Sequence, residues 1–261
     1  VSGKVNSDGT HHRNELYIYK YFWNNNQKVL SSWSKFNFTG EIRQMTFIGS
    51  TLYMVMVNNN QTHIVQMPLE SGLTDDAGFT THLDMRVKLA TSQNTINIFL
   101  PWKASATDKV EVWTEDGAYL ESTPTSFGLT LKQKISEDTN VWVGIPYNMK
   151  YTFSEQIFKA PAGKGTSPSD FTKLMLRNLA LFYNDTAAFK VKVTPNFRPE
   201  VTSEFSSTVI GASTIGSLPL DSGSFRTSLF TKAEDTSISI ESDRALPCSF
   251  QSAELEACTP P

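Results

Sequence analysis

A chain of 261 residues, 39% apolar and 19% charged, has the composition of a globular protein and room for a substantial core. No run approaches the roughly 20 apolar residues of a membrane-spanning helix, which excludes such a span. A formal net charge of −3 and a pI near 5.8 argue against a general nucleic-acid binder, whose phosphate contacts need a surplus of Lys and Arg.

The chain opens on Val1, without an initiator Met, and is expected to be a piece of a longer polypeptide. Its dominant period is two. "ELYIYKYFW" sets Leu16, Ile18 and Lys20 against Tyr17, Tyr19 and Tyr21, "TLYMVMV" is a nearly continuous buried strand, and "THIVQMP" follows an Asn58-Asn59-Asn60 turn. Asn tolerates positive φ, so both Asn-Asn-Asn stretches predict tight hairpins. Strands are expected at 16-23, 27-33, 43-48, 52-58 and 61-67, and this succession resembles a propeller blade plus a neighbouring strand.

The Gly-, Asp- and Thr-rich segment 68-84 marks a first boundary, with new strands expected at 85-90, 95-101, 109-122 (a hairpin about Glu115-Asp116-Gly117), 129-135, 140-147 and 149-154. "KAPAGKGTSPSD", 159-170, marks the second. "KLMLRNLALFY" (173-183) reads as a strand whose period-two pattern shifts at Arg177-Asn178, with a helix as the alternative and "NDTAAFKVKVTP" as its hairpin mate. Strands at 223-230, 236-242 and 249-257 complete the pattern. The fold class is all-β, several small antiparallel domains: a propeller-blade-like segment (1-72), a β-sandwich or barrel module (73-160) and a C-terminal β module (161-261).

The stretch Leu16 to Phe38 holds eight aromatic residues, Tyr17, Tyr19, Tyr21, Phe22, Trp23, Trp33, Phe36 and Phe38. Such rings serve as core, as a protein interface or as a sugar-stacking platform, and core is the first expectation, interface the second and sugar binding the third. "AGKGTS" (162-167) lacks the spacing of a phosphate-binding loop and reads as linker. His11, His12, His63 and His82 have no partners at metal-ligand spacing and are assigned solvated or structural roles. The acidic pairs Asp75-Asp76, Glu115-Asp116, Glu137-Asp138 and Glu254 with Glu256 lie in turns or on a terminal strand, where ordinary acidity is expected rather than catalysis. Cys248 and Cys258 are expected to be free thiols. Catalytic, cofactor-binding and metal residues are therefore expected to be none.

The stretch "LYIYKYFWNNNQKVLSSWSKFNFTGEIRQMTFIGSTLYMVMV" resembles the tail tubular protein B family of short-tailed phages (podoviruses), the tail nozzle. Tyr17 to Tyr21 match its Y-x-Y-K-Y segment, Lys28 to Phe36 its K-V-x-S-x-W-S-x-W/F segment, and Leu52 to Val55 its L-Y-x-V strand. "LMLRNLALFYNDTAAFKVKVTP" is similar to the family's late hairpin, and "GSFRTSLFTKAEDTSISIESDRALPCSFQSAELEA" to its C-terminal segment, with Leu255 where the family usually has Trp. The resemblance implies a non-enzymatic virion component, assembled in the host cytoplasm as a hexameric ring beneath the adjoining upper tail tubular protein. Such a ring would enclose the DNA exit channel without sequence-specific binding, carry no membrane anchor and dock tail fibres. The rival readings are a tail-associated glycan hydrolase and a host-polysaccharide-binding module, the latter presenting Trp102, Trp113 or Trp142 to sugars.

Overall fold

The computed structural model describes residues 13-70, 81-104, 109-115, 117-125, 128-157, 174-208 and 219-258. In chain order the strands are β1 (Glu15–Asn24), β2 (Gln27–Asn37), β3 (Glu41–Ile48), β4 (Thr51–Asn58), β5 (Gln61–Pro68), β6 (Leu83–Thr91), β7 (Asn97–Phe99), β8 (Glu111–Thr114), β9 (Tyr119–Leu120) and β10 (Ser122–Thr125). They continue as β11 (Gly128–Leu131), β12 (Thr139–Pro146), β13 (Met149–Thr152), β14 (Met175–Thr186), β15 (Ala188–Pro195), β16 (Val201–Ser206), β17 (Asp221–Lys232), β18 (Thr236–Ser242) and β19 (Ser249–Cys258). A 3-10 turn, Ala233–Asp235, links β17 to β18. The fold is all-β, in several small antiparallel sheets, and none of them closes into a barrel among the described residues.

The chain gathers into two compact units with interleaved boundaries. The first is drawn from Val1–Leu73, Ser92–Val110 and Glu121–Glu137, the second from Thr74–Thr91, Glu111–Leu120 and Asp138–Pro261. In the first unit β1 pairs with β2, β3, β4 and β5 form one meander, and β7, β11 and β10 form a small third sheet. The predicted turns are present: Asn25 and Asn26 have φ of 45° and 60°, and Asn59 and Asn60 have 49° and 60°, the pair of left-handed residues a two-residue hairpin turn requires. Leu52, Met54 and Met56 alternate along β4 into a buried cluster with Leu16 and Ile42, against which Ile18, Phe36 and Phe38 pack.

The second unit contains the sheet β6-β12-β8-β9, whose Val112, Val141 and Val143 are fully buried on one face. It also contains a sandwich of two sheets, β13-β18-β15-β16 and β17-β14-β19. Leu179, Leu181 and Tyr183 of β14 meet Phe189, Val191 and Val193 of β15 and Ile238 and Ile240 of β18 in its core. The 173-183 segment is a strand, and its register shifts between Leu176 and Asn178 against both neighbours, where the period-two pattern breaks.

The hairpin expected between β14 and β15 does not form. β14 pairs with β17 and β19, β15 pairs with β16 and β18, and the chain crosses between layers at Asp185, whose φ is 45°. Tertiary bonds fix the crossing: Ala187 N–H donates to the Pro247 carbonyl, and the fully buried Thr186 hydroxyl accepts from Ser249 N–H. β10 and β16 were not anticipated. Both lie at sheet edges, β10 contains Pro124, and neither carries a strong apolar alternation.

Candidate functional site

Register divides the β1-β2 ribbon into two faces. Tyr17, Tyr19 and Tyr21 stand opposite Lys35, Trp33 and Ser31, while Leu16, Ile18 and Lys20 stand opposite Phe36, Ser34 and Ser32. Only the base of the second face reaches the core, through Leu16, Ile18 and Phe36. Farther out nothing among the described residues covers the ribbon: Tyr21 is 58%, Phe22 58%, Trp23 55% and Trp33 68% exposed. Register slips between Phe22 and Trp23, leaving Val29 outside the pairing and exposed. The expectation that this cluster is core is therefore corrected: a two-stranded ribbon has a base to pack and a distal half with no sheet beneath it.

The tyrosine face is organised by cations. The Tyr19 ring centroid lies 4.8 Å from that of Trp33 and 5.7 Å from that of Tyr21. Lys28 Nζ sits 4.7 Å over the Tyr19 ring and donates to its hydroxyl, which lowers the Tyr19 pKa. Lys35 Nζ lies 5.7 Å over Tyr17 and 2.6 Å from Glu15 Oε1; the hydrogen bond to Glu15 raises the Lys35 pKa.

A second constellation, unnoticed in the sequence, lies on the outer face of the sandwich. The Glu241 side chain is only 8% exposed and is held between Lys192 Nζ at 2.7 Å and Lys150 Nζ at 3.0 Å. The hydrogen bond from Lys192 is the main reason its carboxyl stays below the usual range. Alternation in "AFKVKV" and "SISIES", which sets Lys192 and Glu241 on the side away from Val191 and Ile240, is the signal that would have found it. A third lies in the second unit, where burial raises the Asp84 carboxyl to about 6 and pushes the Cys248 thiol up.

The other sequence candidates are dispersed. Glu256 accepts from Asn178 and Arg226, both at 2.7 Å, and its pKa is lowered, chiefly by the Asn178 bond, which is the opposite of what a general acid needs. Glu115 accepts from Lys88 and Asn140, both at 2.9 Å. Asp75, Asp76 and Asp116, His11, His12 and the 162-167 loop lie outside the described residues. His63 sits on β5, and the His82 ring stacks on Tyr147 at 6.3 Å. Among the described residues no group of His, Cys, Asp or Glu is arranged to hold a metal, and Cys248 and Cys258 are free thiols. Trp102 and Trp142 are buried, Arg86 lies 4.8 Å over the Trp142 ring, and Trp113 donates to Glu111 at 2.9 Å.

A chain built of small antiparallel sheets, with its most conspicuous surface an exposed aromatic ribbon, has the make-up of an assembly component. The family model for bacteriophage nozzle proteins matches residues 5-258, and the chain belongs to that family. It is a structural component of the phage tail within the virion. Tail tubular protein gp12 of Escherichia phage T7 is 23% identical over 256 residues, covering 89% of this chain and 32% of that protein. The chain thus spans about a third of the length of the curated relative it matches. A solved chain from a study of carbohydrate-binding modules of the β-sandwich superfamily is 9% identical with a TM-score of 0.20, covering 96% of this chain and 84% of that one. At that score the likeness carries no argument.

Proposed function

We propose that the chain is part of a nozzle subunit that forms the DNA exit channel of a short-tailed phage and docks tail fibres during ejection. The family match over nearly the whole chain carries this reading. The subunit assembles in the host cytoplasm as a hexameric ring beneath the adjoining upper tail tubular protein, and genomic DNA passes without sequence-specific binding. Its role is mechanical rather than enzymatic. The segment 1-72 belongs to a propeller-like part of the full-length polypeptide, followed by modules at 73-160 and 161-261. A mildly acidic chain suits a conduit, because a basic lumen would retain phosphates; a lumen found to be strongly basic would refute that point.

Glycan hydrolysis and polysaccharide binding have less support. Of the acidic residues the sequence singled out, Glu115 and Glu256 are engaged in ordinary ion pairs, and Trp102 and Trp142 lack the exposed ring faces that sugars stack on. The test is the mass in solution of the full-length chain, by light scattering at several concentrations. A ring is expected. A monomer at every concentration, with the adjoining tail protein present, would overturn the proposal.

A further inference from the structure

We propose that the end of the β6-β12 pair is a proton-sensitive joint, closed while the Asp84 carboxyl keeps its proton and opening locally once it ionises. Three segments of the second unit meet there. Asp84 of β6 stands opposite Ile145 of β12, the His82 ring stacks on Tyr147, and the His82 N–H donates to the Ala245 carbonyl at 2.8 Å. From Ala245 the chain runs on to Pro247, whose carbonyl accepts from Ala187 N–H at the crossing between sandwich layers. The backbone is strained at this point. Register slips between Val143 and Ile145, so that Met85 and Arg86 lie opposite Gly144 alone, and Met85 takes a φ of 48°. Gly favours that region and Met does not, so the surroundings hold Met85 there. Gly144 is pressed against the bulge: a Cβ would stand 2.7 Å from Leu83 Cβ and 2.8 Å from the Asp84 carbonyl oxygen.

The Asp84 side chain is partly buried, and among the described residues no side chain donates to its carboxyl. The titratable and charged groups around it are Tyr147 from the end of β12, Cys248 from the connection, and Arg86 and His82 from its own segment. Arg86 is committed elsewhere, 4.8 Å over the Trp142 ring and donating to the Thr81 carbonyl at 3.0 Å. Burial first, and the neighbouring Asp84 second, push the Tyr147 phenol up to about 12, and burial pushes the Cys248 thiol up, so both face Asp84 as neutral groups. The closed joint therefore accommodates a carboxylic acid and penalises a carboxylate, which is why burial holds Asp84 at about 6. Opening returns the carboxyl to water, where its value is 3.8. The closed form is thus favoured most below about 4 and loses ground as pH rises to about 6. The strained bulge is the place where the strand yields, and the joint stands independently of the nozzle role.

The test is hydrogen exchange of the full-length protein, read by mass spectrometry from about pH 5 to about pH 7 and corrected for the intrinsic rate. Protection of residues 82-87 and 144-147 should fall about ten-fold across that range, with little dependence on urea below the unfolding transition, the mark of a local opening. Strands β14 and β15 should exchange through the urea-sensitive global opening instead. D84N keeps the shape of the side chain and cannot ionise, so its joint should be equally protected at both ends of the range. If D84N does not fold, the series on the native protein decides. Three results would overturn the inference: protection of the joint that does not change with pH, a pH dependence that survives in folded D84N and so belongs to His82, or exchange of joint and sandwich through one urea-sensitive opening at every pH.

Discussion

Replacing Glu241 by glutamine keeps the shape of the side chain and removes the charge between Lys150 and Lys192. In the native protein the carboxylate is almost entirely withdrawn from water and receives both ammonium groups, at 3.0 and 2.7 Å. Breaking a fully buried pair by removing one partner costs about 3 to 5 kcal/mol. Here both lysines reach solvent, so water takes over part of their stabilisation and the expected loss is about 2 kcal/mol. In a unit of this size that lowers the melting temperature by about 4 to 8 °C, readable by calorimetry and by the urea midpoint.

The pH dependence is a second readout. The folded pKa of Glu241 lies below the model-peptide value of 4.5, so its stabilisation is complete above that value and disappears as pH falls through the folded pKa. E241Q should lose this acid-side decline. A K192M background should shrink the effect of E241Q, since the partner at 2.7 Å is already gone. An E241Q variant with the wild-type midpoint and the wild-type acid profile would refute the reasoning.

Asp84 should show the opposite sign. Burial raises its folded pKa from 3.8 to about 6, so the folded state holds a proton the unfolded state has released, and stability should fall as pH rises from about 4 to about 6. D84N should flatten that decline, worth about 3 kcal/mol, in unfolding curves across the window. Leu179 is fully buried in the sandwich core, and L179A should cost about 3 kcal/mol in chemical denaturation. A Cβ at Gly128 would stand 2.0 Å from the Ile98 carbonyl oxygen, so G128A should break the β11-β7 pairing. Hydrogen exchange of residues 97-99 and 128-130 should then accelerate while the sandwich strands keep their protection.

Period-two alternation and turn chemistry made most strands legible, and both Asn-Asn turns formed with the backbone signs their residues favour. The break at Arg177-Asn178 was readable because a bulge displaces the apolar set by one position. Partner choice was less legible. Nothing local distinguishes a hairpin from a crossing at Asp185; the bonds that decide it come from Pro247 and Ser249, some 60 residues later. The aromatic stretch was misread for a related reason. Alternation marks which side chains share a face, but not whether another layer lies over that face. The Glu241 constellation escaped because its three residues stand on three strands far apart in sequence, each looking like an ordinary surface charge.

The sandwich and the ribbon treat their outward faces differently, which bears on where partners meet the chain. On one sandwich sheet Glu241 joins Lys150 and Lys192; on the other, Glu256 joins Asn178 and Arg226. These polar groups satisfy one another over a sealed core, while Tyr151, Val201 and Phe230 stay exposed elsewhere on the sandwich strands. A two-stranded ribbon is marginal in water, yet β1 and β2, ten and eleven residues long, run on past their packed base. The Lys28-Tyr19 and Lys35-Glu15 contacts brace the tyrosine face without burying it. Bracing an exposed aromatic surface adds little to folding, but it presents the rings in a fixed arrangement before any partner arrives, which reduces the ordering cost of binding. The ribbon is therefore where substitutions should separate function from stability, with F22S and W33S altering contacts while leaving the sandwich's unfolding transition in place.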